Sequence, residues 1–150
     1  MKRSFVLLLL IASFSLSVNA QDGKRYSNAL GVRLGSSVPA IKDGISFKHF
    51  IGHNAIEAIL SFGDGTALCG LYEIHKTLAI SNLQWFIGAG GYVGLNNSAS
   101  IAGGAGIVGL DFKFPIIPLN ITLDWKPEIN IVSKIGFQAA GLGFSARFTF

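Results

Sequence analysis

Three histidines, one cysteine and a scatter of carboxylates are the side chains of this chain that could do chemistry. A histidine beside a serine can take the hydroxyl proton and make an acyl-transfer nucleophile. His49 with Ser46, and His75 with Ser81, are the pairs on offer, and neither spacing matches a hydrolase motif. The plainer reading puts His49 and His75 at the aqueous rims of strands. Cys69 has no second cysteine to pair with, and no Cys/His cluster has metal-ligand spacing. Asp43 and Asp64 read as loop acids, too few ligands for a calcium site. Gly88-Ala89-Gly90-Gly91 and Gly103-Gly104-Ala105-Gly106 lack the strand–turn–helix context and the Lys-Ser/Thr of a phosphate loop. Glycines at bends in curved strands explain them better. No catalytic residue, cofactor or metal is expected.

The informative chemistry is one of placement. Arg33, Lys48, Glu57, Glu73, Asp111, Asp124, Lys126, Glu128 and Arg147 lie on or beside strand-like runs. Four are positive and five negative, so they nearly cancel. If the aliphatic faces of those runs point outward, all nine point inward or sit at a rim. An interior of mixed sign can pair with itself. A proton or ion path through Asp124, Lys126 and Arg147 is the competing use of these groups. A salt-bridge network that holds the interior together is the favoured one.

The elements that must position these residues follow from the period of the pattern. Residues 141–150 place Leu142, Phe144, Ala146, Phe148 and Phe150 on one face, and Gly141, Gly143, Ser145, Arg147 and Thr149 on the other. That is the period-2 alternation of a strand with one apolar face. Its length of about ten residues is what a tilted strand needs to cross a bilayer. Runs with strand character also cover 28–35, 45–51, 55–62, 67–75, 83–94, 101–112 and 119–126. In 119–126, Leu119, Ile121, Leu123 and Trp125 alternate with Asn120, Thr122, Asp124 and Lys126. The facing of 67–75 stays open, because Leu71 shares a face with Glu73. Residues 36–43, 63–66, 96–100 and a stretch from Glu128 to Phe137 read as loops. Gly52-His53-Asn54, Lys76–Asn82 and the Pro115/Pro118 segment read as links. Eight strands joined mostly by short links predict an all-β, antiparallel up-and-down barrel. An even strand number puts both chain ends on one side. Eight strands enclose a space only just wide enough for side chains, so a plugged polar core is expected. Trp85 and Trp125 fall near strand ends, as interfacial aromatics would.

Composition and the leader agree. Residues 1–20 read as a cleaved signal peptide: Lys2 and Arg3, an apolar run from Phe5 to about Leu16, then Val18-Asn19-Ala20 before Gln21. A membrane anchor is the alternative, but the run is short and broken by serines. Residues 21–150 then form one domain. Without Lys2 and Arg3 the formal charge of +4 falls to +2, too mild to suggest nucleic acid. Residues 77–110 carry no charge but eight glycines, which a transmembrane helix tolerates poorly.

At this point the chain resembles the small outer-membrane β-barrel proteins of Gram-negative bacteria, the OmpA-barrel and OmpX-like class. The residues that carry the resemblance are Gly70-Leu71-Tyr72-Glu73-Ile74-His75, the segment from Pro118 to Pro127, and Arg147-Phe148-Thr149-Phe150. Ser145 departs from the pattern, which has a glycine about there. The resemblance implies a transmembrane barrel in the cell outer membrane. It implies Phe144, Phe148 and Phe150 as an insertion signal read by the barrel-assembly machinery, with outer-membrane lipid as surroundings. It implies little about activity. A structural or surface-interaction role for a monomer is expected. The alternatives are a narrow solute channel, a lipid A-modifying enzyme using a His and a Ser at the membrane interface, and a secreted lipocalin-like carrier with an apolar interior.

Overall fold

A computed structural model describes residues 26–36, 41–63, 65–96, 99–132 and 135–150. The leader reading of residues 1–20, and Asp64, lie outside them. The strands are β1 Asn28–Gly35, β2 Asp43–Ile51, β3 Asn54–Phe62, β4 Gly65–Thr77, β5 Leu83–Asn96, β6 Ala99–Lys113, β7 Leu119–Trp125, β8 Glu128–Asn130, β9 Gly136–Gln138 and β10 Leu142–Thr149. Each of β1 to β6 pairs antiparallel with the next, β7 pairs with β10, and β10 closes the ring on β1. The fold is therefore a closed eight-stranded antiparallel barrel. Asn28 and Phe150 exchange two backbone hydrogen bonds of 2.9 Å, so both described ends meet at one mouth, called here the terminal end.

The stretch from Glu128 to Phe137, expected as a loop, is instead largely a hairpin that lengthens two walls. β8 continues β7 along β6 in unbroken register, with Trp125 opposite Val108 and Glu128 opposite Ala105. Pro127 interrupts the assignment because it has no N–H to give the ladder. Its carbonyl still accepts the Gly106 N–H at 3.0 Å. β9 leads into β10 through Ala139-Ala140-Gly141, three residues facing the two of Lys126-Pro127. That one extra residue makes a bulge, as is common at barrel rims.

The side chains alternate across the wall as the period-2 pattern requires. Leu30, Val32 and Leu34 on β1 face out, as do Ile56, Leu60 and Phe62 on β3, and Leu142, Phe144 and Phe148 on β10. The facing of β4 is settled: Leu71 points inward with Cys69, Glu73 and His75, and Leu68, Tyr72 and Ile74 point out. The interior is not uniformly polar, which corrects the expected polar core. Ile41, Ile59, Ala67, Cys69, Leu71, Phe86, Tyr92, Ala105 and Ile107 form one buried apolar cluster inside it. Apart from Ile41, which precedes β2, its members come from β3 to β6, and on β5 and β6 glycines share the inner face with them. Tyr92 lies over Gly103, where a Cβ would strike its phenol.

Candidate functional site

The chemically loaded region is the lumen. All nine charged residues singled out above are at most 3% exposed. The strands place them there by parity alone, since each sits on the face opposite its neighbouring aliphatics. Taking unit charges out of water costs several kcal/mol each unless partners replace the solvent. The lumen supplies the partners in three groups.

The largest group fills the terminal half. Lys48 on β2 lies 2.7 Å from Glu73 Oε2 on β4, and 3.5 Å from both Glu57 Oε2 on β3 and Asp111 Oδ2 on β6. In the closed ring β2 and β6 stand opposite each other, so Lys48 ties across the full lumen. Arg147 on β10 pairs with Glu57, and donates to Ser46 Oγ at 2.6 Å, Thr122 Oγ1 at 3.1 Å and Asn120 Oδ1 at 3.2 Å. Ser46 in turn donates to Glu57 at 2.6 Å, and Asn120 to Asp111 at 2.7 Å. The Phe86 ring sits beneath the Lys48 ammonium at 4.5 Å, a cation–π contact in a dry site.

Tyr26 and His75 cap this group at the terminal mouth. The Tyr26 hydroxyl donates to Asp111 Oδ2 at 3.2 Å. Burial first, and the Asp111 charge second, push its phenol well above the usual tyrosine range. His75 Nε2 is 2.9 Å from Glu73 Oε2, and its ring stacks on Phe86 at 5.0 Å. His75 is thus buried, not at an aqueous rim as expected. Tyr26 precedes β1 and is not among the candidate residues read from the sequence.

The other two groups are simple pairs. Arg33 on β1 and Asp124 on β7 make two bonds of 2.6 Å past the backbone of β10. A Cβ at Gly143 would collide with that guanidinium, so the pair needs glycine there. Lys126 and Glu128 pair two residues apart across Pro127.

The histidine–serine readings fare differently from the charges. His49 is exposed and bonded to Asn28 at 2.8 Å, whereas Ser46 faces inward, so one strand holds them on opposite faces. Ser46 is already engaged by Glu57 and Arg147. His75 points into the lumen, whereas Ser81 is exposed in the link after β4. Asp43 accepts the Gly35 N–H at 3.0 Å at the rim opposite the chain ends. Among the described residues, no group of three or more His, Cys, Asp and Glu side chains is arranged to hold a metal ion.

The remaining predicted positions lie on the outer wall. Phe144, Phe148 and Phe150 all face outward, with the Phe148 and Phe150 rings 6.4 Å apart. Trp85 is half-buried on the outer face near the terminal end, with Lys76 5.9 Å over its ring. Trp125 is exposed towards the other end and donates to the Ala139 carbonyl at 2.5 Å. Comparison with protein-family models, with curated protein sequences and with solved structures finds no match.

Proposed function

We propose that the chain is a small, monomeric, integral outer-membrane β-barrel with a structural or surface-interaction role and no catalytic one. The observation that supports this best is the facing of the wall. Aliphatic and aromatic side chains cover the outside of every long strand, while the charges of the same strands are buried inside. Among the described residues, the charged side chains other than the nine buried ones are Lys42, Asp43, Lys76 and Lys113, all at or beside strand ends. A soluble monomer rarely exposes an apolar patch beyond a few hundred Å², whereas a bilayer solvates such a belt. Outer-membrane lipid and the barrel-assembly machinery would be the partners. The ties from Lys48 across the lumen support a closed interior rather than a pore.

The experiment is fractionation followed by electrophoresis in SDS with and without boiling. A band in the outer-membrane fraction that shifts on heating is expected. A second reading, a secreted carrier of an apolar ligand, draws on the buried cluster around Ile59, Leu71 and Ile107. An unshifted band in the soluble periplasmic fraction would favour that carrier and end the membrane reading.

A further inference from the structure

The terminal mouth of the barrel is lopsided. The link between β2 and β3 is the polar pair Gly52-His53. The link between β4 and β5 carries Leu78 and Ile80, and the link between β6 and β7 is Phe114-Pro115-Ile116-Ile117-Pro118. These two links are neighbours, joined where the Lys113 N–H donates to the Asn82 carbonyl at 3.0 Å. Both are ordered turns. Leu83 donates to Ile80, Phe114 to Leu119 and Leu119 to Ile117. They nonetheless hold their aliphatic tips away from the protein: Ile80 is 63% exposed and Ile116 94%. Tips this exposed contribute little to the barrel's own packing.

Two lysines flank the tips. Lys76 is exposed on the outer face of β4, with its ammonium over the Trp85 ring. Lys113 ends β6 and donates to the Phe114 carbonyl at 2.6 Å and the Ile117 carbonyl at 3.0 Å. An ammonium has three N–H donors, so one remains for a further acceptor. The acidic residue nearest in sequence, Asp111, is buried in the lumen. Aliphatic tips, a Trp, the half-buried Phe112 and Phe114, and lysines without an acid beside them are the composition of a surface that lies at the boundary between acyl chains and anionic headgroups. The patch is also continuous with the outward apolar belt through Trp85 and Phe112.

We propose that this side of the terminal mouth docks anionic phospholipid. Ile80, Ile116 and Ile117 enter the acyl boundary, while Lys76 and Lys113 hold the lipid phosphates. The polar Gly52-His53 side stays in water. This rests on the membrane reading above and adds a lipid preference and a place for it.

The test uses Trp125→Phe, which leaves Trp85 as the single tryptophan beside Lys76. The barrel is folded in zwitterionic micelles and titrated with short-chain phosphatidylglycerol or phosphatidylcholine while Trp85 emission is followed. Phosphatidylglycerol is expected to shift the emission at far lower concentration than phosphatidylcholine. Adding Lys76→Gln and Lys113→Gln together is expected to weaken that response roughly tenfold to thirtyfold at low salt, and Lys76→Gln alone about fivefold. Lys42→Gln, at the opposite rim, is expected to leave it unchanged. Equal responses to the two lipids, or a double variant that keeps the preference, would overturn the proposal. Heating the same samples in SDS separates the two readings. A heat-shifted barrel whose Trp85 ignores phosphatidylglycerol overturns the docking surface alone. A chain that gives no heat-shifted band in any micelle overturns the membrane reading and this surface with it.

Discussion

The two halves of the lumen are closed by different physics. In the terminal half, Lys48, Glu57, Glu73, Asp111 and Arg147 come from five strands, and each charge leans on at least one other across the space. In the opposite half, volume does the closing: the apolar cluster of β3 to β6 fills one side, and the charges are left as two separate pairs. A shared network fails as a unit, because removing one member leaves several charges uncompensated in a dry site. A pair fails alone and can be replaced as a pair. An apolar cluster fails by degrees, through the cavity a truncation leaves.

Arg147→Met is therefore expected to be the most damaging substitution. It strips Glu57 of its guanidinium and leaves Ser46, Asn120 and Thr122 short of a donor. The expected loss is at least about 3–5 kcal/mol, read as the fall in the urea midpoint of the heat-shifted band. Asp124→Leu alone should cost a similar or slightly smaller amount, since it strands only Arg33. The two halves part company in the double variant. Arg33→Met with Asp124→Leu removes both charges and should recover most of the loss, to within about 1 kcal/mol of the parent. If the double variant stays as unstable as the single one, Arg33 and Asp124 belong to the shared network, and the contrast between the halves is wrong.

Ile107→Ala probes the apolar half. Ile107 is fully buried on β6 with Cys69 and Leu71 in the same cluster. The expected loss is about 2–3 kcal/mol, the lower part of the usual range for an aliphatic-to-Ala change. The small neighbours Ala67 and Ala105 leave the wall room to relax. A loss as large as that of Arg147→Met would mean that the apolar side is packed as tightly as the charged side is paired.

How much of this the sequence discloses depends on whether a feature is set by strand parity. Facing is: Leu119 to Lys126 alternate so cleanly that Asp124 and Lys126 could be assigned inward without coordinates. The closed eight-stranded barrel follows from the same alternation repeated around the chain. Leu71 was ambiguous because both faces of β4 carry aliphatics, and only the apolar cluster beyond the charged layer explains an inward leucine beside Glu73. The hairpin of β8 and β9 was hidden by Pro127, which gives the ladder no N–H and reads as a strand end, although Lys126 and Glu128 on either side of it both still point inward. Partner choice was not legible at all. Nothing in the spacing of Lys48 and Asp111, sixty-three positions apart, says that ring closure puts them on opposite walls of one lumen. The same holds for Tyr26, whose partner Asp111 is 85 positions away.

Tyr26 gives the smallest effect and the most specific one. Tyr26→Phe removes one hydrogen bond to Asp111 at the edge of the terminal network, an expected cost of about 1 kcal/mol near neutral pH. The sign of its pH dependence follows from the raised phenol. The folded-state value lies above the unfolded one, so the contribution is complete below the ordinary tyrosine value of about 10 and falls away as the pH rises past it. The unfolded parent then gains about 1.4 kcal/mol for each further pH unit, and the Phe variant gains nothing from this position. The stability gap between them should therefore close roughly one unit above pH 10 and reverse beyond it. Other tyrosines and lysines titrate in both proteins and cancel in the difference. Parallel urea titrations in detergent micelles from pH 7 to about 11 would show it. A gap that stays constant would place Tyr26 in water rather than over Asp111. The shared network would then end at Asn120 and His75.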